Sequence, residues 1–180
     1  MDRNLFNYDT ILPTCGEDVK VHVSSPSEKG ECDTHTPLHE IGLITSYHAY
    51  SRKGDISIST TNPQFTKATE FFEKLTPSAV MGMRNKYAFL NMSEEEYTDR
   101  FFNGLEKMDA RAIYEELQAV ALCDVPVIVC FEKWDKPCHR NMVAQWIYEK
   151  LGVKFMERYA IEKGKELVLN TQSYKWEEVK

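Results

Sequence analysis

The chain has 180 residues and a mass of 20.9 kDa, a size suited to one domain with short appendages. Hydrophobic residues at 42% and charged residues at 28% predict a packed core and exclude a disordered chain. The net charge of −6, from 22 basic and 28 acidic residues, excludes a surface coated with cations for nucleic acid and leaves room only for a local basic pocket. No apolar run approaches the ~20 residues of a membrane span. The start, MDRNLFNYDT, has no basic region followed by an apolar one, so no membrane partner and a cytoplasmic setting are expected. In that setting the five cysteines are expected to be mostly reduced thiols.

Residues 1 to about 40 read as an irregular N-terminal extension with a short Val19–Val23 snippet and turn formers at Ser24-Ser25-Pro26-Ser27. Ile41 to Tyr47 is apolar and β-branched, the pattern of a buried strand. Asp55 to Thr60 alternates apolar with polar, which predicts a half-buried strand. Thr66 is placed to cap a helix with Phe71, Phe72 and Leu75 on its apolar face, ending before Pro77. Ser93 and Glu96 have the spacing of a capping box, and Met92 with Tyr97 that of a hydrophobic staple. Tyr97, Phe101, Leu105 and Met108 then form one helical stripe, and Asp109 caps a second helix carrying Ile113, Leu117 and Val120.

Val125 to Cys130 is a continuous apolar run, as in a parallel strand covered on both faces, with Pro126 confined to its start. A short loop follows, with Asp135 as the expected N-cap and Pro137 in the first turn of a helix that ends at Gly152. The tail from Phe155 to Asn170 reads as two strands turning at Lys163-Gly164-Lys165. The pattern predicts an α/β fold: a three-layer domain over 41–157 with a mainly parallel central sheet and flanking helices, and a C-terminal hairpin or tail over 158–180.

The strand–loop–helix segment is where chemistry is expected. Ligands of open α/β sheets gather beyond the carboxyl ends of strands, where helix N-termini present free amides and partial positive charge. Cys138 falls there, making it the candidate nucleophilic thiol, with His139 as cationic support or proton carrier. Arg140 is suited to holding a phosphate or carboxylate. Glu132 is the candidate acid–base group, and Cys130 a secondary candidate better suited to the core. Thr45, Ser46 and Tyr47 end a neighbouring strand and carry hydroxyls that reach toward the same anion site.

Val129-Cys130-Phe131-Glu132-Lys133 followed by Pro137-Cys138-His139-Arg140-Asn141 resembles the signature of the domain-of-unknown-function 488 family. Ile44-Thr45-Ser46-Tyr47, Ile56-Ser57-Ile58-Ser59, Leu75-Thr76-Pro77-Ser78 and Ser93-Glu94-Glu95-Glu96-Tyr97 are similar to further elements of that family in the same order. The resemblance spans residues 41 to 157. It implies a compact cytosolic α/β domain with a shared site at Cys-His-Arg, and no known reaction. Many members carry an arginine after Ile-Ser-Ile-Ser, whereas Thr60, Thr61 and Asn62 stand here, which turns attention to Arg52, Lys53 or Arg84 as substitutes.

Cys32, His35 and His39, with Cys15 upstream, have zinc-ligand types and make a weak metal candidate in the extension. Three functions are therefore expected to compete. One is a cysteine-dependent transferase or hydrolase acting on a small anionic, nucleotide-like or phosphorylated substrate. The second is a non-catalytic module binding a nucleotide or a nucleic-acid end. The third is a thiol redox switch using Cys130 and Cys138.

Overall fold

The computed structural model describes residues 40–179. The N-terminal candidates Cys15, Cys32, His35 and His39 lie outside the described residues. Strand β1 (Ile41–Tyr47) forms where the β-branched run predicts it and sits beside β4 (Val127–Cys130) near the middle of a five-stranded sheet. The other strands are β2 (Ile56–Ser57), β3 (Glu70–Phe71) and β5 (Lys154–Glu157), in the order β3-β2-β4-β1-β5. Every pairing in this sheet is parallel. All four residues of β4 are buried, as an apolar run covered on both faces requires.

Helices α1 (Pro77–Val80), α2 (Glu94–Leu105), α3 (Ala110–Val120) and α4 (His139–Leu151) enclose the larger core, in which Leu43, Ile56 and Ile128 meet Phe101, Leu117, Val143 and Trp146. Helix α5 (Arg158–Lys163) brings Ile161 against Ile41, Ile44, Val127 and Val129 in a smaller cluster. Strands β6 (Leu167–Asn170) and β7 (Lys175–Glu178) form a separate antiparallel hairpin. No helix among the described residues is long and apolar enough to cross a membrane.

The N-cap bonds of α2 and α3 form where their sequences predict, while the return bond of the α2 capping box does not, its Glu96 carboxylate being turned to Arg100. Ser93 accepts from the Glu96 amide at 3.1 Å, and Asp109 from the amides of Arg111 and Ala112. The Glu96 carboxylate pairs with Arg100 one turn on, at 2.9 Å. Gly104 has no freedom to be replaced, because a Cβ there would meet the Val80 carbonyl oxygen at 2.2 Å where α1 crosses α2.

Four sequence expectations are corrected. The helix expected from Thr66 does not form: Phe71 joins the sheet edge as β3, Leu75 lies in a 3-10 turn, and Pro77 opens α1 rather than closing a helix. The Thr66 hydroxyl is instead taken up by His48 and Ser51. The alternating segment around β2 is buried on both faces from Ile56 to Ser59, because its polar side is covered: Ser57 donates to Asn62 and Ser59 pairs with His48. Helix α4 starts three residues later than Asp135, with Cys138 as its N-cap and Pro137 in the preceding loop. The tail is not a hairpin around Gly164: β5 adds to the main sheet beside β1, α5 follows, and Gly164 ends that helix at φ 58°. The cysteines also divide, since Cys130 and Cys138 are free thiols and Cys123 is disulfide-bonded.

Candidate active site

A cleft of about 570 Å³ opens at the carboxyl ends of β2 and β4, between the start of α2 and the start of α4. Cys130, Cys138 and His139 line it together with Ser59, Thr60 and Thr61 from the loop after β2. Tyr87, Phe89, Leu90, Met92 and Tyr97 line it from the segment leading into α2, and Phe131, Glu132 and Tyr174 complete the lining.

The polypeptide fixes Cys138 from three directions. Its amide donates to the Tyr174 carbonyl at 3.3 Å, and its own carbonyl accepts from the Asn141 amide at 3.0 Å. The same Tyr174 carbonyl accepts from the Asn141 side chain at 2.8 Å. The Asn141 side-chain oxygen in turn accepts from the Trp176 indole at 3.2 Å. The C-terminal hairpin is thus tied to the first turn of α4. Tyr174, at φ 50°, is the non-glycine residue in the left-handed region among the described residues, and it sits where its carbonyl makes these bonds. Trp176 itself is buried.

His139 Nε2 lies 3.0 Å from the Ile58 carbonyl oxygen, which can only accept. That nitrogen therefore carries a proton, which fixes the ring's orientation. Ligand atoms of Cys130, Cys138 and His139 all lie within 4.8 Å of one another. The Cys130 sulfur is almost equidistant from the two ring nitrogens, at 3.5 and 3.7 Å. Among the described residues these three side chains are a group whose spacing could hold a metal ion.

The two thiols are polarised in opposite directions. Burial alone would raise Cys138, but the hydrogen bond to Cys130, the Arg140 guanidinium and His139 outweigh it and hold the thiol well below its ordinary value. Burial pushes Cys130 up, and its contact with Cys138 adds to that. One sulfur is thus set up as the thiolate and its neighbour as the proton-bearing thiol.

Arg140 does not reach the cleft. It is completely buried behind the thiols, where Nη1 donates to the Glu132 carbonyl at 2.5 Å and Nε lies 3.7 Å from Glu157. Nε and Nη2 have no hydrogen-bond acceptor, and Glu157 Oε1 has no donor. Burial pushes Glu157 up against the opposing pull of Arg140 and Thr45. Thr45 is spent on Glu157, at 2.7 Å, and the buried Ser46 hydroxyl is unpartnered. Tyr47 is raised to about 12 by burial and by its neighbours Tyr50 and Glu157. None of these three hydroxyls lines the cleft. Glu132 does line it and is exposed, although its carbonyl rather than its carboxylate engages Arg140. Arg52, Lys53 and Arg84 are also exposed and absent from the lining, with Arg52 paired to Glu162.

The sequence reading missed two features. His48 is 2% exposed and bridges Thr66 and Ser59, at 2.8 Å to each. Burial lowers it to about 4, so it is neutral, and Ser59 connects it to the Cys130 sulfur. The aromatic wall at residues 87–97 was the second omission. Its signal was present in the density of Tyr87, Phe89, Leu90 and Met92 ahead of the Ser93 cap. No family model, curated protein or solved structure matches this chain.

Proposed function

We propose that the protein is a cysteine-dependent acyl-transfer enzyme, a transferase or hydrolase, with Cys138 as nucleophile. One observation carries this reading: the Cys138 sulfur lies on the cleft floor beside an imidazole whose orientation is set by the Ile58 carbonyl. A thiol, a base and a group that orients the base make a nucleophilic constellation. In the proposed step the Cys138 thiolate, its proton already passed to His139 Nδ1, adds to a carbonyl carbon. The carbonyl electron pair moves to oxygen, for which the first-turn amides of α4 supply donors. Collapse expels the leaving group with the proton held by His139, and water releases the acyl group by the reverse path.

The substrate was expected to be anionic because Arg140 was expected to hold it. Arg140 is sealed behind the sulfur, so the nucleophilic half of that expectation has support from the geometry and the anion-holding half has lost its cation.

The test is a chromogenic acyl ester, p-nitrophenyl acetate. A burst of p-nitrophenolate is expected, with an acetyl adduct located on Cys138 by mass spectrometry and lost in Cys138→Ser. His139→Gln should slow both acylation and turnover. Equal acetylation in Cys138→Ser would overturn the assignment, and saturable binding without an adduct would favour a binding module.

A second reading is favoured by the distance between the two sulfurs, within 4.8 Å. With a peroxide as oxidant, the Cys138 thiolate attacks the O–O bond to give a sulfenic acid and an alcohol or water. Cys130 then displaces water to close a disulfide. An unchanged free-thiol count after mild peroxide would remove this reading.

A further inference from the structure

We infer that the cleft takes an uncharged electrophile bearing an aromatic group, which the rim residues Tyr87, Leu90 and Phe131 hold over Cys138. This inference rests on the proposed role of Cys138 and adds the class of molecule it acts on.

Three observations lead here. Tyr87, Leu90 and Phe131 are large apolar side chains that are 43, 70 and 48% exposed, and all three converge on one cleft. Isolated exposed apolar residues are ordinary, but a cluster around a concave site marks where apolar surface is to be covered. Phe131 is held in place from behind, with its ring edge-on to the buried His48 at 5.0 Å, so the rim is supported rather than loose.

The second observation is the wall beneath the rim. Phe89 meets Tyr97 edge to face at 5.9 Å, and Tyr97 stacks on the buried Phe101 at 5.8 Å. Phe89 and Tyr97 therefore present ring surfaces of fixed orientation to the cleft, a geometry suited to a flat apolar group. Tyr174 adds a further ring, anchored against Phe102 at 5.0 Å.

Charge is the third. The charged side chains on the lining are Glu94 and Glu132, with no lysine or arginine. The Arg140 charge is turned to Glu132's carbonyl and to Glu157 behind the sulfur. A carboxylate or phosphate entering the cleft meets hydroxyls and two acidic side chains, whereas a neutral carbonyl compound needs no counter-ion.

The experiment compares three alkylating reagents of one chemistry on the full chain, each rate at Cys138 normalised to that at glutathione. They are iodoacetamide, iodoacetate and N-benzyl iodoacetamide. The benzyl reagent is expected to gain about tenfold over iodoacetamide, the scale of burying one aromatic ring. Iodoacetate is expected to fall below iodoacetamide. The double variant Leu90→Ala with Phe131→Ala should erase most of the benzyl gain, read as the ratio of the benzyl rate to the iodoacetamide rate in the same variant. Its urea midpoint is compared with the parent's, so that a loss of the benzyl gain is read in folded protein. If Cys138 reacts but shows no benzyl preference, or reacts faster with iodoacetate, the substrate class is wrong and the nucleophile stands. If Cys138 reacts with none of the three, the nucleophile itself is wrong.

Discussion

Two buried arginine–carboxylate pairs sit at the same end of the same sheet, and they are built differently. Arg158 is fully engaged: Nη1 and Nη2 grip both oxygens of Asp55 at 2.5 and 2.7 Å, and Nη1 also donates to the Tyr50 carbonyl at 3.0 Å. Asp55 further accepts from the Arg52 amide at 2.7 Å, so the pair locks the loop after β1 onto α5. Arg140 touches Glu157 only at 3.7 Å and leaves Nε and Nη2 without acceptors. A bidentate, saturated pair holds structure together. A loose pair beside a sulfur leaves part of its positive field for the sulfur, and Cys138 is among the groups whose ionisation responds to it.

The comparison breaks if the two pairs behave alike, and the largest expected difference is in stability. Asp55→Ala strands a buried guanidinium and should cost about 3–5 kcal/mol in urea unfolding. Arg140→Met leaves a Glu157 that burial already pushes toward its neutral form, so it should cost less than about 2 kcal/mol. Equal losses would show that Arg140 is as structural as Arg158. The next effect concerns pH and separates a neutral buried group from both pairs. His48 is lowered from 6.5 to about 4, so an unfolded chain binds its proton before the folded one does. Stability should be intact above pH 6.5 and fall by about 1–3 kcal/mol as pH drops toward 4. His48→Gln should flatten that part of the urea-derived profile, and an unaltered slope would move its origin elsewhere.

Reactivity sharpens the comparison further. Arg140→Met should slow alkylation of Cys138 by about tenfold, equivalent to about 1.4 kcal/mol of lost thiolate stabilisation, whereas Arg158→Met should leave that rate unchanged in the folded fraction. Smallest of all, Thr45→Val removes one hydrogen bond to Glu157 and should cost about 1 kcal/mol with little change in labelling.

What the sequence revealed follows from which forces are local. The β-branched runs at 41–47 and 127–130 and the caps at Ser93 and Asp109 depend on neighbouring residues, and they form where expected. The tail and the Thr66 segment depend on distant partners. β5 exists because β1 offers it an unpaired edge, and residues 60–69 are irregular because His48 and Ser51 take up the Thr66 hydroxyl. The site shows the same division. Cys138 and His139 are legible as candidates because a helix start follows a strand, and both line the cleft. Arg140 was misplaced because spacing says which turn a residue occupies and not that the chain behind it, at Glu157, supplies a buried carboxylate. The start of α4 at Cys138 rather than Asp135 was equally hidden, since the Tyr174 carbonyl that fixes it comes from the last hairpin.

The central claim is that the fold makes the Cys138 sulfur a better nucleophile than an ordinary cysteine. The direct measurement is site-resolved iodoacetamide labelling of the folded chain at neutral pH with a chelator present, each cysteine quantified by mass spectrometry against the same chain in urea. Cys138 should react faster folded than unfolded, while Cys130 should be protected. A Cys138 that is slower in the folded protein than in urea would contradict the account.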